Sequence, residues 1–252
     1  MFRTCTLLLA GLALAARPLS VHAQEDETRA VVIDAMKAHG GKEALRKYLG
    51  SQAKYKGTVE AMGLTIKIEG EVFTNYPDRM KNVVNVDVNN MNIEVKQGFD
   101  GKVLWISTMG ATKEIDDKEL LAEMKESIHS ERVTALVDLD SKEFKLSALG
   151  EMKIQGKDAV GVRVSKEGKR DVNLWFDKNS HLLVKSEFRG KDPFGQMGEA
   201  NQEKYFSNYK DVMGIQTPAR MEVHSDGKKM VELEISDVRH HERLYDTYFT
   251  KP

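Results

Sequence analysis

Cysteine is almost missing from these 252 residues: one thiol, Cys5, lies near the start, and no second one exists to pair with it. That excludes an intrachain disulfide framework and a multi-thiolate metal site. Proline is scarce, five in all, and no Pro/Ser-rich linker or clear internal repeat divides the chain. Long apolar runs are lacking as well. Leu7 to Ala16 is too short to cross a bilayer as a stable helix, and nothing after it approaches spanning length. There is no excess of positive charge, since the net charge is −1, and that balance does not favour nucleic acid. The sequence carries no nucleophile-elbow glycine-serine pattern, no HExxH helix and no phosphate-cradling glycine loop. No catalytic residue, metal ligand or cofactor is therefore expected.

What is present begins with a secretory signature over residues 1–23. Arg3 supplies the positive start, Leu7 to Ala16 the apolar stretch, and Val21-His22-Ala23 a small-residue cleavage site before Gln24. Cys5 precedes the apolar stretch, which is the wrong order for lipid attachment. Removing this segment takes away Arg3, Arg17 and no acid, which moves the net charge from −1 to −3. Residues 24–252 are expected to form one domain in an extracytoplasmic space.

Within that domain the dominant pattern is strict alternation, which an extended chain converts into one apolar and one polar face. Leu64, Ile66 and Ile68 alternate with Thr65, Lys67 and Glu69; Val84 and Val86 continue the pattern, as do Met91 and Ile93 against Asn92 and Glu94. Farther on come Val162 and Val164, Leu174 and Phe176, then Val231, Leu233 and Ile235. Helical spacing is limited to residues 27–38, a short stretch at 42–48, and a region opened by the Asp116/Glu119 capping pattern, in which Leu120, Leu121, Met124 and Ile128 share a face. Ser130 is positioned to cap a further turn through Leu136.

The expected architecture is mainly β (α+β): an antiparallel sheet that curls on itself, because sheets twist and closure removes exposed edges. Its greasy side is either packed core or a ligand cavity, and periodicity alone leaves both readings open. The candidate lining on the sheet comprises Leu64, Ile66, Ile68, Val84, Val86, Met91, Ile93, Trp105, Val162, Val164, Leu174, Phe176, Val184 and Phe188, with Leu120, Leu121, Met124 and Ile128 from the covering helix. Trp175 falls on the polar parity of its strand. The glycine-rich stretch Arg189 to Gly198 presents Phe194 and Met197, either as an ordinary hairpin tip or as a mouth loop.

Gly98-Phe99-Asp100-Gly101-Lys102-Val103-Leu104-Trp105 resembles the aspartate-glycine-lysine, leucine-tryptophan signature of LolA-like lipoprotein carriers, with Asn75-Tyr76-Pro77-Asp78-Arg79 one hairpin upstream, as in that superfamily. Leu174-Trp175-Phe176-Asp177, Leu182-Leu183-Val184-Lys185, Asn208 to Pro218 and the terminal Phe249-Thr250-Lys251-Pro252 are similar to the wider group. The resemblance implies an unclosed barrel lidded by helices, located in the periplasm, whose apolar cavity shelters lipid or lipoprotein acyl chains passed between membrane or envelope-protein donors and acceptors. It also implies a basic residue before the proline that bonds the lid, where this chain has Tyr76 with Arg79 out of register. The alternatives are a non-catalytic envelope scaffold or sensor with a filled barrel and, less supported, a hydrolase. Asp138 and Asp140 share a parity without an acid-base partner, His240-His241-Glu242 has adjacent histidines on opposite strand faces, and His39, His129, His181 and His224 read most simply as surface residues. Neither the ligand nor the oligomeric state is encoded legibly.

Overall fold

A computed structural model describes residues 21–61, 63–88, 91–192 and 198–252. Two helices open it, α1 (Val21–Ala38) and α2 (Lys42–Lys47). Six strands follow: β1 (Gly50–Ala61), β2 (Leu64–Asn75), β3 (Arg79–Val88), β4 (Met91–Phe99), β5 (Leu104–Thr108) and β6 (Ala111–Ile115). Helix α3 (Lys118–Thr134) leads to β7 (Lys145–Ile154), β8 (Lys157–Ser165), β9 (Val172–Asp177), β10 (Leu183–Lys191), β11 (Glu199–Val212), β12 (Ile215–Ser225) and β13 (Lys228–His241), with a final 3-10 turn at Asp246–Tyr248. The cap of α3 is Asp117, whose carboxylate accepts from the Glu119 and Leu120 amides, and the helix runs through Ser130 rather than restarting there.

The strands form one antiparallel sheet in the order β6-β5-β4-β3-β2-β1-β13-β12-β11-β10-β9-β8-β7. The chain therefore lays down one half outward from β1, crosses on α3, and returns inward to seal β13 against β1. Because β6 and β7 remain unpaired edges, the sheet curls without closing, as the resemblance implied.

The two halves treat their helix-bearing face differently. Over β7 to β11 that face is filled: Val32, Ala35 and Met36 of α1 pack on Val162, Val164, Leu174, Phe176, Phe188 and Phe206. His39 at the end of α1 fixes the helix to the sheet, donating from Nδ1 to the Ala35 carbonyl at 2.8 Å and accepting at Nε2 from the Leu183 amide at 3.4 Å. Those two bonds require the neutral ring with its proton on Nδ1, and burial lowers the pKa accordingly. His39 and His129 are thus interior residues, not surface ones, because each is enclosed by a helix packed on the sheet.

The opposite face is also covered in two places, where polar parity alone would have left it wet. The C-terminal segment lays Leu244 and Phe249 against Phe73, and the Trp105 indole beside them donates to the Phe249 carbonyl at 2.7 Å. Farther along, Trp175 packs with Ile154, Ala159 and Val184. Each indole lies over a glycine in direct cross-strand register, Trp105 over Gly98 and Trp175 over Gly161. A β-carbon at those glycines would stand only 2.4 and 2.6 Å from the rings.

Candidate functional site: an apolar strip between two helices

Between the cluster under α1 and the one under α3, strands β12, β13, β1, β2, β3 and β4 carry apolar side chains in continuous cross-strand rows. One row reads Met221, Leu233, Gly57, Ile68, Val86, Ile93 in unbroken register. A second runs Val223, Val231, Val59, Ile66, and a third Ile235, Tyr55, Gly70, Val84, Val95. At the usual strand spacing, six strands span about 24 Å.

This strip differs from a packed core in its exposure. Ile66, Ile68, Val84, Val86 and Ile93 are each only half-buried and join no buried cluster among the described residues. At its rim Leu64 is 59% exposed and Met91 61%. A contiguous apolar face of this kind in water marks a binding surface more often than an accident of packing. Polar groups interrupt it toward α3: Tyr55 lies across Gly70 and donates to Asn82 Oδ1 at 2.7 Å, and Asn82 faces Gln97 at the next register position on the same face after Val84 and Val95. Burial raises the pKa of that phenol, so it stays a neutral donor.

Helix α3 closes one end. Met124 and Ile128 pack on Phe99 and Leu104, with Leu121 partly buried beside them, while Leu120 points outward at 48% exposure. Ion pairs add to this packing. Glu119 meets Lys191 at 2.6 Å, Glu123 takes both Arg170 nitrogens at 2.8 and 2.5 Å, Glu126 meets Lys169 at 2.9 Å, and Glu131 meets Lys204. Tyr76, in the position where the resemblance implied a basic lid contact, donates its hydroxyl to the Glu131 carbonyl of α3 at 3.2 Å. The lid bond is therefore made by a phenol, while Arg79 pairs with Asp246 in the C-terminal segment.

The expected lining residues separate into three groups. Leu64, Ile66, Ile68, Val84, Val86, Met91 and Ile93 lie on the strip, with Met124 and Ile128 under the end of α3. Val162, Val164, Leu174, Phe176 and Phe188 are sealed in the core beneath α1. Trp105 and Val184 lie on the opposite face, Trp105 because the C-terminal segment covers that side, and Val184 because a register shift between Leu183 and Lys185 reverses the alternation. Phe194 and Met197 lie outside the described residues.

Other candidates resolve into structural contacts. Arg46 bridges Asp138 at 2.7 Å and Asp140 at 3.0 Å, and Lys42 adds a second cation to Asp140. His240 contacts Thr217 Oγ1 at 3.1 Å and faces Tyr48, while Glu242 pairs with Lys47. A cavity of about 810 Å³ opens on the polar face near the sheet centre, lined mainly by Lys56, Thr58, Lys67, Glu69, Asp87 and Glu232. Its mixed charges, including the 3.1 Å Lys56–Glu234 pair, make it a poor host for hydrocarbon. Among the described residues no helix is long and apolar enough to cross a membrane.

No family model and no curated protein matches this sequence. Its fold, however, is that of several solved structures. A DUF1329 family protein from Desulfovibrio piger superposes with a TM-score of 0.55 at 15% identity, over 88% of this chain and 97% of that one. A LolA superfamily protein from Nitrosomonas europaea gives 0.55 at 13% identity, over 89% and 97%. A putative outer membrane lipoprotein-sorting protein domain from Vibrio parahaemolyticus gives 0.55 at 16% identity, over the same shares. The architecture is thus the LolA-like open barrel, and at these identities the likeness concerns the fold.

Proposed function

We propose that this chain binds and carries a hydrophobic ligand, lipid or the acyl chains of a lipoprotein, in the periplasm, and that it does so without catalysing a reaction. The observation that supports this reading most is the half-buried strip of Ile66, Ile68, Val84, Val86 and Ile93, an apolar floor that the protein's own helices flank without filling. Transfer of an acyl chain from water onto such a floor gains about 0.8 kcal/mol per methylene. A carrier needs this burial and a reversible cover, and a helix clasped by ion pairs supplies the second. The signal-like start of the sequence and the fold shared with a lipoprotein-sorting domain support the compartment and ligand class.

A filled scaffold is the second reading, and the packed core beneath α1 favours it for one half of the sheet. Displacement of a fluorescent fatty acid distinguishes the two. The carrier reading expects saturable binding that competing long-chain lipids reverse; absence of probe binding at lipid concentrations below aggregation would favour the scaffold.

A further inference from the structure

At the end of α3 that abuts the strip, a cavity of about 310 Å³ is built from three separate turns and the helix itself: Pro77 and Asp78 between β2 and β3, Gly101 between β4 and β5, and Lys166 and Lys169 between β8 and β9. Its helical wall carries Lys125, Ile128, His129 and Arg132, and Phe99 completes the floor. Four cations and a single carboxylate, Asp78, therefore converge on a space with an apolar base. Glu126 pairs with Lys169, and Glu143 is shared between Arg132 at 2.7 Å and Lys166 at 2.6 Å, with Asp138 more distant from Arg132 at 3.4 Å. Lys125 has no carboxylate partner among the described residues, so its ammonium is the lining cation left to meet an added anion.

The second observation is independent of charge. His129 is only 6% exposed, and its Nε2 is enclosed without any hydrogen-bond partner. Buried polar nitrogens are rarely left so, because an unmade bond forfeits the lost hydration without compensation. Its ring is held in place by stacking on Phe144, which Arg132 and Lys166 also cover. A cavity that offers converging cations beside a buried imidazole asks for an oxyanion with several acceptor atoms.

The floor says what the anion is attached to. Phe99 and Ile128 belong to the apolar cluster beneath α3, and Phe99 ends the same strand face that carries Ile93 and Val95. From Phe99 to Ile93 that face extends about 20 Å. We propose that this cavity binds the phosphate monoester group of an amphiphile whose hydrocarbon tail lies along the strip, with Lys125, Lys166, Lys169 and Arg132 surrounding the phosphate and the His129 ring in the wall beside it. The tail placement rests on the carrier reading above; the phosphate subsite stands on its own residues.

The test compares lysophosphatidic acid with the monoacylglycerol of the same chain length, and both with inorganic phosphate, on the full-length secreted protein. The expected result is that the phosphorylated lipid binds at least about tenfold more tightly than the glycerol lipid, the increment of one charge-assisted contact. Lys125→Glu, an exposed site whose change leaves the fold intact, abolishes that preference while monoacylglycerol binding persists. The imidazole resonances of His129 shift on addition of the phosphorylated lipid, and His129→Gln, which retains a donor, keeps part of the preference. If inorganic phosphate shifts His129 with equal affinity and neither lipid adds anything, the subsite stands as one for free phosphate and the carrier reading falls. Equal affinities for the two lipids, with no response of His129 to either phosphate source, would overturn the proposal.

Discussion

The indole of Trp105 donates to the carbonyl oxygen of Phe249, 144 positions later in the chain, at 2.7 Å. This bond pins the C-terminal segment over the outer side of β5, beside the Arg79–Asp246 ion pair. Trp105 therefore stabilises the barrel from outside. Trp105→Phe is expected to leave the Phe249 carbonyl unpaired and to cost about 1–3 kcal/mol in urea denaturation, while fatty-acid probe affinity stays unchanged. A loss of affinity with no loss of stability would return Trp105 to the ligand side.

The outer face also holds a buried charge triplet. Lys185 lies between Glu187 at 2.7 Å and Glu203 at 2.5 Å, with the Tyr205 ring beside it, and all three charged side chains are largely shielded from water. The two carboxylates hold the lysine charged, well above its ordinary range, against the opposing effect of burial. Lys185→Met leaves both acids buried without their cation, and we expect a loss of about 3–5 kcal/mol by chemical denaturation. Replacing all three together by apolar residues of similar size should restore most of it; equal losses in the two variants would contradict this account.

Stability should fall with mild acid. Burial holds His39, His129 and His240 below the usual imidazole value, His129 at about 4, so the folded state prefers them neutral. A folded pKa below the unfolded one contributes stability that is complete above about pH 6.5 and is lost as pH drops toward the folded value. Urea midpoints at pH 7.5 and 5 should therefore differ, with the lower pH less stable, and His39→Gln should flatten the difference. A midpoint that rises on acidification over that interval would contradict the neutral interior assignment.

Much of this was legible in the sequence, and the failures have local causes. Alternation located the strands of the strip because one side of them meets water, so each apolar residue is separated from the next by a polar one. It failed at Leu104-Trp105-Ile106, where both faces are covered and adjacent apolar residues lose their parity label. It failed again at Val184, where an irregular register within Leu183–Lys185 turns two neighbours to unexpected sides. A usable signal was present in both tryptophans: each has a glycine directly across the ladder, Gly98 or Gly161, because only a residue without a side chain leaves room for the ring. The buried histidines were hidden since single residues carry no period. Ser130 misled as a cap because Met124, Ile128 and Val133 continue the buried face of α3 past it, and tertiary packing overrides a local stop preference.

The strip itself should tolerate charge in the empty protein and reject it when loaded. Ile68 and Val86 face one another across β2 and β3 and are already half-exposed, so Ile68→Asp combined with Val86→Asp should cost about 1–2 kcal/mol in stability. Probe affinity should fall more than about tenfold, because carboxylates placed against hydrocarbon lose hydration with nothing to replace it. Undiminished affinity would place the ligand elsewhere.

The most direct measurement is native mass spectrometry of the protein purified from its own cells. The account predicts a fraction of molecules carrying a discrete added mass that solvent extraction identifies as lipid or acylated peptide, and its disappearance in the Ile68→Asp, Val86→Asp protein. A wild-type protein that is uniformly free of lipid, and that takes up none when mixed with it, would contradict the claim that this open sheet face exists to shelter a hydrocarbon chain.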